Sequence, residues 1–127
     1  MTNNSGIYMY GLPEDIDLSF FVKKKLELVC FASYSLYLHF DGDVLLTVEG
    51  KFDYGPDAEN GDDQWRCFPL PESDLMRFLE SEVIGVKGER NGTLILTFSN
   101  NEMLRISGDN ESFEAYSIKH GRMTIVV

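Results

Sequence analysis

The chain repeats itself. Sliding the sequence by 58 residues sets 12–50 on 70–108 without a gap, with nine identities in 39 positions: Leu12/Leu70, Pro13/Pro71, Glu14/Glu72, Phe20/Phe78, Leu36/Leu94, Leu38/Leu96, Phe40/Phe98, Leu46/Leu104 and Gly50/Gly108. Average residue usage gives about two or three at one offset. The substitutions point the same way, since Leu18/Met76, Phe21/Leu79, Leu26/Ile84, Leu28/Val86, Leu45/Met103 and Val48/Ile106 all stay apolar. Matched core positions in matched order mean two copies of one structural unit, and this constrains the fold more than any composition does.

Each copy reads as a helix followed by a meander. Pro71 suits a first helical turn, Glu72 and Asp74 complement the dipole there, and Leu75, Met76, Phe78, Leu79 and Val83 recur at helical spacing, which predicts a helix over 71–82. Pro13-Glu14-Asp15 opens the first copy in the same way and Lys23-Lys24-Lys25 closes its helix, although Phe20, Phe21 and Val22 are poor helix formers. The period then drops to two. Leu26, Leu28 and Cys30 alternate, then Leu36, Leu38 and Phe40, then Leu46 and Val48, with Asp41-Gly42-Asp43 as a hairpin turn. In the second copy the strands are Ile84 and Val86, then Leu94, Leu96 and Phe98, then Leu104 and Ile106, with turns at Asn91-Gly92 and Ser99-Asn100-Asn101. An aromatic strand precedes each unit, Ile7–Tyr10 and Trp65–Phe68, and 113–127 reads as a final hairpin turning at His120-Gly121-Arg122.

The resulting expectation is a single α+β domain over 1–127. It holds two tandem strand-helix-meander repeats, 7–52 and 65–110, related by a pseudo-two-fold axis in mainly antiparallel sheet. An acidic connector spans 53–64 and the C-terminal hairpin 113–127. Each meander has one apolar face, to be covered by its helix or by the other copy. The opposite face is mixed, with Val29, Phe31, Tyr37, His39 and Leu45 in the first copy against Lys87, Ile95, Thr97, Met103 and Arg105 in the second. The first is the more apolar, so either the C-terminal hairpin or another chain covers it.

Charge narrows the function. With 21 acidic residues against 11 basic ones the formal net charge is 11 − 21 = −10, which argues against a nucleic-acid face and an anionic membrane, because both need clustered cations. There is no apolar run of membrane-spanning length, and Met1-Thr-Asn-Asn-Ser-Gly has neither a basic start nor an apolar signal core, so a cytoplasmic location is expected. Cys30 and Cys67 sit in apolar contexts and read as buried free thiols. His39 and His120 lack zinc-ligand spacing, and no metal or cofactor is expected.

Between 53 and 82 stand nine acids and two cations, Arg66 and Arg77, so this stretch holds 2 − 9 = −7 of the net charge. Asp57-x-Glu59-x-Gly61 breaks the register of a calcium loop at its third ligand. Two readings remain, a solubilising linker and a docking surface that steers a basic protein partner. The docking residues would be Asp57, Glu59, Asp62, Asp63, Trp65, Glu72 and Asp74, with Trp65 as the aromatic anchor.

There is no Gly-rich phosphate loop, serine elbow or paired-carboxylate signature, so a small-molecule-binding domain or enzyme is the less favoured class. Its most plausible polar groups would be His39 and Tyr37 in a cleft between the copies; hairpin register sets His39 near Val44–Leu46 and away from Glu49. His120, in a hairpin turn, is expected to be solvated. A third class is a homo-oligomer pairing through the outer sheet face of the first copy.

The stretches Leu12-Pro13-Glu14-Asp15, Leu18-Ser19-Phe20-Phe21, Leu36-Tyr37-Leu38-His39-Phe40-Asp41-Gly42, Thr93-Leu94-Ile95-Leu96-Thr97-Phe98-Ser99-Asn100 and Glu114-Ala115-Tyr116-Ser117-Ile118 resemble a bacterial family of small acidic proteins catalogued as a domain of unknown function. That resemblance implies a bacterial origin and carries no catalytic residue. In size and acidity the chain is also similar to immunity proteins, which neutralise toxin domains. Residues and resemblance together favour a non-enzymatic binding protein of immunity type.

Overall fold

The computed structural model describes residues 7–8, 17–55, 68, 75–108 and 115–127. Among them strand is the dominant element: β1 Ile7–Tyr8, β2 Leu26–Phe31, β3 Leu36–Phe40, β4 Val44–Val48, β5 Phe52–Gly55, β6 Val83–Gly88, β7 Leu94–Phe98, β8 Met103–Ile106, β9 Tyr116–His120 and β10 Met123–Val126. They form a six-stranded sheet ordered β1-β10-β9-β4-β3-β2 and a four-stranded sheet ordered β5-β8-β7-β6. Every pairing is antiparallel except β1 with β10.

This corrects the α+β expectation, since the described residues contain no helix of seven or more residues. In place of the two helices stand short 3-10 turns, Ser19–Phe21 and Leu75–Phe78. Their hydrogen bonds run from residue i to i−3, as in Val22 N–H to Ser19 O and Leu79 N–H to Met76 O. The apolar spacing that suggested helix is met by one such turn, because Leu75 and Phe78 are three apart and both buried. Each turn is stopped by a residue in the left-handed region, Lys23 at φ 75° and Glu80 at φ 70°. The next N–H groups leave for the other copy: Lys23 N–H bonds Val83 O and Glu80 N–H bonds Leu26 O, while Leu26 N–H bonds Ser81 O and Val83 N–H bonds Lys24 O. Tertiary pairing therefore takes the donors a longer helix would need.

These reciprocal bonds also show that the repeat carries two offsets. Phe21, Leu26 and Val29 correspond to Phe78, Val83 and Val86, 57 residues on, whereas β3 and β4 correspond to β7 and β8 at 58. The difference lies in the loops, 32–35 in the first copy against 89–93 in the second. Both first strands carry a bulge, between Leu26 and Leu28 and between Val83 and Gly85. The bulge reverses the alternation, so Leu28 lies opposite His39 on the outer face while Val29 packs against the core.

The inner faces of both sheets share one hydrophobic cluster, which includes Phe21, Leu36, Leu38, Phe40, Phe78, Leu94, Leu96 and Phe98. The C-terminal hairpin does not cover the first copy's outer face. It joins edge to edge, β9 pairing with β4 from Val44–His120 to Val48–Tyr116. The connector is also shorter at its start than expected, because Asp53–Gly55 belong to β5, paired with β8. Of the aromatic strand expected at 65–68, Phe68 alone is described, and it lies in a bend.

Candidate functional site

Asp57, Glu59, Asp62, Asp63, Trp65, Glu72 and Asp74 lie outside the described residues, as does Cys67. The points between which they run are described. Where β5 ends, Tyr54 packs edge-on against Phe78, ring centroids 5.9 Å apart, and the Arg77 guanidinium lies 5.3 Å from the Tyr54 ring centroid. The chain thus leaves the four-stranded sheet and returns to it at one place. Between these points Phe68 leans on Phe52 with centroids 5.8 Å apart.

Two charges of the acidic stretch have partners within the described fold, one buried and one exposed. On the outer face of the four-stranded sheet, register sets Asp53, Arg105, Ile95 and Lys87 in one row. Asp53 is 3% exposed and its carboxylate stands 3.9 Å from Arg105 Nη2. Buried in this way, Asp53 cannot belong to a docking surface. Arg77 bonds Glu102 through Nε at 3.1 Å and Nη2 at 2.5 Å, and Asn100 Nδ2 donates to the Arg77 carbonyl at 3.4 Å. Sequence reasoning missed both pairs. The signal for the first was the apolar neighbours of Asp53, Phe52 and Tyr54, which read as a strand with one charged outward position.

Asp17, 57 residues before Asp74 in the sequence, accepts the Ser19 N–H on its carboxylate at 2.9 Å, and hydrogen bonds from the Ser19 side chain and backbone hold its pKa below the usual value.

His39 faces away from the core. Its row on the six-stranded sheet reads Leu28, His39, Leu45, Lys119 and Thr124, so Glu49 is not its neighbour. The next outer row holds Cys30, Tyr37, Thr47 and Ser117, with Ser35 Oγ donating to Tyr37 Oη at 3.2 Å. Cys30 is a free, half-buried thiol on this face and not a core residue. A half-open basin of about 610 Å³ is lined by His39, Leu45 and Lys119 with Glu27, Asp41 and Asp43 among its rim residues. No group of three metal-ligating side chains occurs among the described residues.

The structure does not bring His39 and Tyr37 into a space between the copies. That space is filled by the apolar side chains of the shared core. His120 is not in the turn but at the end of β9, half-buried and stacked on Phe20 with ring centroids 4.3 Å apart. Among the described residues no helix is long and apolar enough to cross a membrane. Compared with protein-family models, with curated proteins and with solved structures, the chain matches none, and its resemblance to the small acidic bacterial family finds no support there.

Proposed function

We propose that the chain is a non-enzymatic binding protein, of the immunity type, that recognises a basic protein partner through Asp57, Glu59, Asp62, Asp63, Trp65, Glu72 and Asp74. One observation carries this reading. The acidic excess concentrates in one stretch of sequence, flanked by the paired charges Asp53–Arg105 and Arg77–Glu102. Residues 57–74 then contribute six acids against Arg66 alone, 1 − 6 = −5. Charge of one sign concentrated in a segment whose flanking residues Tyr54 and Phe78 pack together steers a cationic surface and raises its association rate.

The test is reversal of Asp57, Glu59, Asp62 and Asp63 to Lys in the full chain, immobilised against a lysate of its native cell. A partner of basic pI held by the wild type, released by salt and lost with the reversed chain supports the reading. A bound fraction unchanged by reversal overturns it.

A further inference from the structure

The two copies end their sheets differently, and the difference points to a second interaction surface. Among the described residues β2 is one edge strand of the six-stranded sheet and β6 one of the four-stranded sheet, at equivalent places in the repeat. At the 57-residue offset Leu28, Cys30 and Phe31 of β2 correspond to Gly85, Lys87 and Gly88 of β6. Glycine and an outward lysine are the means by which sheets discourage edge-to-edge pairing, and Lys87 is well exposed beside Glu89. The large exposed apolar residue of β6, Ile84, sits in the bulge beside the crossing to the first copy.

β2 has none of this protection beyond Glu27 in its own bulge. Leu28 is 48% exposed and Phe31 49%, and Tyr34 in the following loop is 68% exposed. The two strand residues lie on opposite faces, since Leu28 opposes outward His39 and Phe31 opposes buried Leu36. An element lying over one face would cover one of them. A strand added at the edge covers both and takes up the outward backbone groups of β2 as well.

We infer that β2 is a self-association edge, which pairs antiparallel with β2 of a second copy to join two six-stranded sheets. The strand that fits carries apolar side chains on both faces, and β2 is itself such a strand. Charge favours this meeting point. Copies of net charge −10 repel, but at this edge Lys23, Lys24 and Lys25 stand against Glu27, Asp41, which accepts the Lys25 N–H, and Glu80, which pairs with Lys25, so the edge is near neutral and repels a second copy less than the chain as a whole does. Antiparallel pairing sets the two lysine runs at opposite ends of the interface, each toward Ser33 and Tyr34 of the other copy. They are then separated by about a strand length, ~20 Å, beyond the ~10 Å screening length. This surface shares no residue with the acidic stretch, so the charge-reversed chain of the previous test should still associate, at least as tightly as the wild type, since reversal takes its net charge from −10 to −10 + 8 = −2.

Sedimentation equilibrium at about 100 μM, far above a micromolar dissociation constant, tests the inference. The wild type is expected to show a dimer, with slower amide exchange at Leu28–Phe31 as concentration rises. L28K and F31K, which copy the lysine device of β6 at exposed sites, should weaken association at least tenfold while leaving Tm within a few degrees. A wild-type chain that stays monomeric, a dimer unaffected by both substitutions, or concentration-dependent protection located elsewhere overturns it. The exchange measurement uses the wild type alone and decides the matter even where a variant fails to fold.

Discussion

Phe40 and Phe98 stack on one another where the two copies meet, with ring centroids 6.3 Å apart and planes at 20°. They are equivalent residues of the repeat, and each receives an edge from its own copy's 3-10 turn, Phe21 on Phe40 at 5.7 Å and Phe78 on Phe98 at 5.0 Å. One chain of four rings therefore ties both turns to both sheets. Phe98→Ala removes its central contact and should cost about 3–5 kcal/mol in urea unfolding, with Phe40→Ala comparable. Because the pair touches, the double variant should lose less than the sum by about 0.5–1.5 kcal/mol. Strict additivity would show that the stack couples nothing.

The same four rings show how much of the fold was legible. Phe40 and Phe98, with Leu36/Leu94, Leu38/Leu96 and Leu46/Leu104, were matched from sequence at the offset the structure keeps, and all are buried. Phe20 was matched to Phe78, whereas the structural equivalent of Phe78 is Phe21. An ungapped comparison cannot see one residue gained between Gly88 and Leu94 relative to the first copy, nor a bulge that reverses a strand's faces. The helices were misread because apolar residues at i and i+3 suit one 3-10 turn as well as an α-helix. What decides between them is a donor's long-range partner, such as Leu26 O for Glu80 N–H. β5 was hidden by the charge of Asp53, which reads as loop until Arg105 is seen beside it.

Gly50 and Gly108 are identical in sequence and differ in what surrounds them. An ideal Cβ on Gly108 would stand 2.5 Å from the Gly92 carbonyl carbon and 2.7 Å from the Asn91 oxygen, both backbone atoms. On Gly50 it would stand 3.4 Å from Ala115. Gly108→Ala should destabilise by about 1–3 kcal/mol or more, since backbone must move, and Gly50→Ala by no more than about 1 kcal/mol. Thermal unfolding of the two variants side by side checks the ranking, and equal losses would contradict it.

The loop that Gly108 presses on is also held by the C-terminal hairpin. Tyr116 is fully buried and its hydroxyl donates to the Gly92 carbonyl at 2.5 Å. Burial raises its pKa well above the ordinary tyrosine value of 10.0, so the folded chain keeps this phenol neutral. The stability that follows is complete below the unfolded pKa, near 10, and is lost as pH rises from there toward the higher folded value. Tyr116→Phe should lower stability at pH 7 by about 1–3 kcal/mol through the unpaired Gly92 carbonyl. It should also flatten the decline of Tm above pH 10, and a variant as steep as the wild type would assign that decline to other tyrosines.

Asp53 marks where the internal structure of the acidic stretch gives way to the segment proposed to bind. Its carboxylate and the Arg105 guanidinium are both largely buried, so Asp53→Ala takes a counter-charge from a buried cation and should destabilise by about 3–5 kcal/mol. Reversals at Asp57, Glu59, Asp62 and Asp63 exchange one run of like charges for another while taking the net charge from −10 to −2, and should leave urea unfolding within about 1 kcal/mol of the wild type while abolishing capture of a basic partner. The two measurements must separate: Asp53→Ala loses stability, and at a temperature where it is still folded it keeps the partner. Loss of binding by folded Asp53→Ala would move the recognition surface onto β5 itself and away from residues 57–74.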